Sequence, residues 1–129
     1  LMTLIIGGRA QGKRAYALSQ TGLGAAHICD GGVCPFNAAF DQPILARLHL
    51  LVRRLMQAGQ DARQIILNGA AAHPDLTIIC DEVGCGVVPV DAFERAWREQ
   101  VGRICCALAE QSARVVRVYA GIPTILKDA

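Results

Sequence analysis

A chain of 129 residues, 53% hydrophobic and 19% charged, is long enough to bury a self-sufficient core and too apolar to be a disordered segment. Thirteen basic and eleven acidic residues leave a net charge of +2, with the arginines scattered and no aromatics interleaved, which disfavours general nucleic-acid binding. The apolar stretches are all too short to span a membrane, and no basic region with a cleavage site precedes the first strand-like segment, so the expectation is one cytoplasmic domain over residues 1–129.

The pattern alternates strand and helix. Met2 to Ile6 is an apolar run ending on two glycines, a buried strand entering a turn. Lys13 to Gln20 carries few breakers and reads as the helix that follows. Ala25 to Asp30 is a second short strand, closing on an acid before Gly31 and Gly32. From Pro43 to Met56, Ile44, Leu48, Leu51, Val52 and Leu55 recur at steps of three and four, which predicts an amphipathic helix with Pro in its first turn. Asp61 to Ala71 reads as a further helix, although Ile65, Ile66 and Leu67 also suit a strand.

Leu76 to Cys80 is the next strand and runs into Asp81 and Glu82 before a glycine-rich turn, Gly84 to Pro89. Asp91, with Glu94 three residues on, has the form of a capping box ahead of a long helix whose stripe is Phe93, Trp97, Ile104 and Leu108. Arg114 to Ala120 closes the pattern as a strand ending at Gly121. Strands separated by helices predict a mostly parallel α/β sheet with helices on both faces. Ligands in such sheets bind beyond the carboxyl ends of the strands, where the glycine loop, Asp30, Asp81 and Glu82 would gather.

Gly7, Gly8, Gly12 and Lys13 give that edge a chemistry. Their spacing is G-x-x-x-x-G-K, in which loop amides and a helix N-terminus surround an anion and the lysine reaches the outer phosphates. Arg14 stands where the motif takes Ser or Thr, so the hydroxyl ligand of magnesium is missing while anion binding survives. The plain alternative is a tight turn. Asp30 is placed as a magnesium-holding acid or as an ordinary turn-starting residue, and Glu82 and Asp81 as a base and a metal ligand or as solvated strand caps. His27, read inside a strand, and His49, inside a helix, suit packing. The six cysteines, Cys29, Cys34, Cys80, Cys85, Cys105 and Cys106, form no C-x-x-C pair and read as reduced structural thiols. A His27, Cys29, Cys34 metal site is the alternative.

Residues 80 to 127 carry an E-V-G-x-G-x-V-P turn at Glu82, Val83, Gly84, Gly86, Val88 and Pro89, then Gly102 and Arg103 on the helix, then Gly121, Ile122 and Lys127. Together with the glycine loop of residues 4 to 14, they resemble the adenosylcobinamide kinase / adenosylcobinamide-phosphate guanylyltransferase family of cobalamin biosynthesis. The resemblance implies a RecA-like P-loop NTPase domain, reduced in size, that binds GTP or ATP and a corrinoid and associates as a homo-oligomer, a trimer. An enzyme of this kind would use Lys13, Asp30 and Glu82 catalytically, with Asp30 or Glu82 on magnesium, and a phosphate cradle of Gly7, Gly8, Gly12 and Lys13, to which Arg14 adds its charge. Two departures stand out. Arg14 replaces the hydroxyl residue, and only Thr21 to Gly24 fills the interval where the family carries a strand and the helix bearing its guanylylated histidine. Neither His27 nor His49 inherits that role. The expectation is a nucleotide-binding member with residual kinase activity at most; the competing reading is a catalytically silent subunit partnering a complete enzyme.

Overall fold

The computed structural model describes residues 1–83 and 91–129. Met2, Leu4 and Ile5 are almost fully enclosed, and Thr3–Gly7 forms strand β1 inside a six-stranded sheet. The other elements are α1 (Lys13–Thr21), β2 (Ile28–Asp30), β3 (Ile44–Ala46), α2 (Leu48–Gln57), α3 (Ala62–Ala72), β4 (Thr77–Asp81), α4 (Ala92–Gln111), β5 (Arg114–Tyr119) and β6 (Ile122–Asp128). The strand order is β2-β3-β4-β1-β5-β6; every neighbouring pair is parallel except β5 and β6. This is the expected α/β architecture, consistent with a reduced P-loop NTPase-like fold.

Strand alternation divides the core between two faces. Leu4, Leu45, Ile78, Cys80 and Val115 pack under α2, α3 and α4, whose buried residues include Leu51, Leu55, Ile66, Trp97, Ile104 and Leu108. On the opposite face Ile5, Ile44, Ala46, Ile79, Val116 and Val118 meet α1 through Ala17, Tyr16 and Leu18. Three helices therefore cover one face and one short helix the other, which leaves the second face open near the carboxyl ends of β2, β3 and β4.

The structure departs from the sequence expectation at three places. Ala25–His27 forms a turn of 3-10 helix, so the second strand is only Ile28–Asp30 and His27 lies outside it. The predicted Pro43–Met56 helix starts late: Ile44–Ala46 is a strand with all three residues buried, and Leu48 opens the helix. A run buried on both faces has no alternation to mark it, and Ile44 happens to sit in helical step with Leu48. Finally, the chain continues past Gly121 into β6. Ala120 and Gly121, at φ of 50° and 76°, form a two-residue turn with both residues left-handed, the geometry that folds a tight hairpin.

The remaining boundaries agree with the pattern. Asp61 and Asp91 cap α3 and α4, each accepting the amide of the residue three further on, Gln64 and Glu94. The Gly84 to Pro89 turn and Cys85 lie outside the described residues. Cys29 and Cys34 are buried, and burial pushes the Cys29 thiol up to about 11, as suits a packed thiol.

Leu45 is fully enclosed in β3 whereas Ile122 on the edge strand is 67% exposed, so the two positions should respond differently to truncation. Leu45→Ala should lose roughly 2–5 kcal/mol of unfolding free energy, and Ile122→Ala less than about 0.5 kcal/mol, in urea titrations followed by circular dichroism.

Candidate functional site: the glycine loop and its facing carboxylates

Gly7 ends β1 so close to its neighbour that a Cβ there would lie 2.4 Å from the Val118 carbonyl oxygen. Gly12 stands before α1 at φ 93°, a conformation that glycine adopts freely, and a Cβ there would approach Gly121 Cα at 3.2 Å. The loop is fastened to the β5–β6 turn: Gly121 N–H donates to the Gln11 carbonyl at 2.9 Å, and Ala120 N–H to Gln11 Oε1 at 2.6 Å. Gly8 has ordinary space around it and supplies its carbonyl to the site.

Lys13 is 5% exposed, and its ammonium lies inside the loop. It donates to the Gly8 carbonyl at 2.6 Å and pairs with Asp81 Oδ1 at 2.8 Å. Asp81 is held from behind by His49 on α2. The Asp81 N–H donates to His49 Nδ1 at 3.2 Å, and His49 Nε2 lies 3.4 Å from Asp81 Oδ2. An Nδ1 that accepts leaves the proton of the neutral ring on Nε2, facing the carboxylate. Burial lowers the His49 pKa more than the Asp81 charge raises it, with Lys13 and Arg47 adding to the depression. The ring is fixed further because its own backbone carbonyl accepts the Trp97 indole N–H at 2.8 Å.

The loop faces a cavity of about 250 Å³ whose lining includes Lys13, Arg14, Asp30, Arg47 and Asp81. Three cations thus meet two carboxylates, a balance that attracts anions. Asp30 is gripped by Arg47, with Nε at 2.7 Å from Oδ1 and Nη2 at 2.9 Å from Oδ2, and it accepts the Gly32 N–H at 2.8 Å. Arg47, first, and the Gly32 amide hold its carboxyl below the ordinary range, against the opposing effect of burial.

Of the residues expected from the sequence, Gly12, Lys13, Arg14 and Asp30 share this cavity, and Gly7 and Gly8 shape the loop beside it. Glu82 lines a second cavity with Ile6, Asp81, Val83, Arg98, Val101 and Cys105, and Arg117 forks it at 2.9 and 3.2 Å. Glu82 follows Cys80 towards the α4 face, whereas Asp81, at the end of β4, borders both cavities. Arg47 and the His49–Asp81 contact were absent from the sequence expectation. Once β3 is recognised, its position beside β2 would bring Arg47 to Asp30.

A model of the family described as cobinamide kinase / cobinamide phosphate guanyltransferase matches residues 41–126. That span includes His49, Asp81 and Glu82, while the glycine loop precedes it. A search of curated proteins found no match.

A buried histidine held neutral predicts a definite pH dependence. The unfolded chain binds a proton near a pH of about 6.5 and the folded chain only at lower pH, so the contribution of His49 is complete above that value and is lost as pH falls below it. Asp30 titrates in a lower window. Between pH 7.5 and 5.0 the wild type should therefore lose more stability than His49→Gln, as read from urea midpoints; equal losses would show that His49 does not titrate in this way.

Proposed function

Because the chain belongs to the cobinamide kinase / cobinamide phosphate guanyltransferase family, a family of cobalamin biosynthesis, we propose that it binds the phosphates of GTP or ATP in the glycine-loop cavity. The observation that carries this reading is the Lys13 ammonium, buried at the mouth of a helix and bonded to Asp81 and the Gly8 carbonyl. A phosphate competes for that ammonium with more charge than one carboxylate, and the start of α1 adds its positive end. Gly7, Gly8 and Gly12 let the backbone approach, and Arg14 adds a second cation on the first turn.

Magnesium fits this resting cavity poorly. It takes oxygen ligands, and Arg14 offers none where the motif has a hydroxyl. Among the described lining residues the two carboxylates are already engaged, Asp30 by Arg47 and Asp81 by Lys13. Lys13, Arg14 and the loop amides attract an anion without a metal, so nucleotide binding depends little on magnesium.

Guanylyl transfer is absent in this reading, since the interval from Thr21 to Gly24 has no room for the family's histidine-bearing helix and His49 is occupied with Asp81. The engagement of Asp30 and Asp81 favours a nucleotide- and corrinoid-binding subunit, assembled as a homo-oligomer or on a complete enzyme, over an efficient kinase. Residual phosphoryl transfer would fall to Lys13 with Asp30, and Glu82 would act from the neighbouring cavity.

Titration with GTP and ATP, with and without magnesium, tests the reading. Binding should change little with the metal, and Lys13→Ala should weaken it by about ten-fold or more, the loss expected for a charge-assisted hydrogen bond. Incubation with labelled GTP should leave no covalently labelled band on a denaturing gel. An affinity unchanged in Lys13→Ala would reduce the loop to a turn, and a labelled band would reveal another nucleophile.

A further inference from the structure

Arg47 combines three features that a surface ion pair does not require. Its backbone is left-handed, at φ 54° and ψ 48°, in a residue that carries a Cβ. That conformation sets the guanidinium over the cavity while its carbonyl accepts the amides of Leu50 and Leu51 to start α2. The guanidinium is pressed against Gly32, where a Cβ would lie 2.4 Å from Nη2. Yet the pair with Asp30 is only half enclosed, with the two side chains 49% and 41% exposed, and both residues line the cavity that holds Lys13. The fork is well made but open to solvent and to any anion seated beneath the loop.

We propose that Arg47 is a second phosphate-binding cation of this cavity, exchanging the Asp30 carboxylate for the outermost phosphate of a bound nucleoside triphosphate. This rests on the nucleotide reading above and adds the residue that distinguishes a triphosphate from a diphosphate. A guanidinium presents the same planar pair of donors to phosphate oxygens as to a carboxylate, and a terminal phosphate carries more charge than Asp30. The swap needs a side-chain rotation alone, because the start of α2 fixes the Arg47 backbone. Asp30, left behind, keeps the Gly32 amide at 2.8 Å and its access to water.

Calorimetric titration of the full chain with GTP and GDP, without magnesium, separates this role from that of a structural ion pair. Arg47→Gln should lower GTP affinity by about ten-fold and GDP affinity by less than about two-fold, as for one charge-assisted contact to the terminal phosphate. Asp30→Asn should raise GTP affinity several-fold by removing the competitor. Gly32→Ala, which crowds the guanidinium off its resting place without changing charge, should act in the same direction. If Asp30→Asn weakens GTP as much as Arg47→Gln does, or if Arg47→Gln affects GTP and GDP equally, the pair is structural and the proposal fails. Wild-type GTP binding that falls in Lys13→Ala yet ignores Arg47→Gln overturns the role of Arg47 alone. Failure of the wild type to bind either nucleotide overturns the nucleotide reading and this proposal together.

Discussion

The contact between Lys13 and Asp81 joins the two halves of the site, and most of the surrounding geometry serves it. Lys13 begins α1 and Asp81 ends β4, so a 2.8 Å contact between them ties the loop after the central strand to the strand beside it. A buried ammonium is costly unless it is paired and hydrogen-bonded, and here the Gly8 carbonyl supplies the additional bond. The Asp81 amide donates to His49 Nδ1 and fixes the ring, whose Nε2 faces the carboxylate from α2. The β5–β6 hairpin does the same for the loop, through Gln11 and the close approach of Gly12 to Gly121. An antiparallel strand at the sheet edge thereby contributes to the site without touching the cavity.

Much of this was legible in the sequence because each signal was local. Gly7, Gly12 and Lys13 announced a loop between strand and helix, and the capping box at Asp91 marked the start of α4 to within a residue. What was illegible depended on partners distant along the chain. Ile44–Ala46 is a strand because β2 and β4 flank it, and three buried residues have no periodicity of their own. The pairing of Asp30 with Arg47 spans seventeen positions and follows from that missed strand. Asp81 and Glu82 are adjacent in sequence, yet only Asp81 borders the cavity of the glycine loop, a difference that the sequence pattern alone does not mark.

The family match and the local chemistry bear on different parts of the molecule. Residues 41–126 carry the family signal and include β3, β4 and the helices of one face; the glycine loop that gives the cavity its positive character lies before them. The two meet at Asp81, inside the matched span and bonded to the loop lysine. Across the described residues no helix is long and apolar enough to cross a membrane.

The central claim is that Lys13 is a phosphate ligand held in reserve by Asp81. Nitrogen-15 NMR of the Lys13 ammonium, recorded while GTP is titrated to saturation and again after its removal, tests this most directly. The account predicts a shifted resonance with coupling to phosphorus in the complex and a return to the starting position afterwards. A Lys13 signal that stays unchanged while GTP saturates the protein would contradict it.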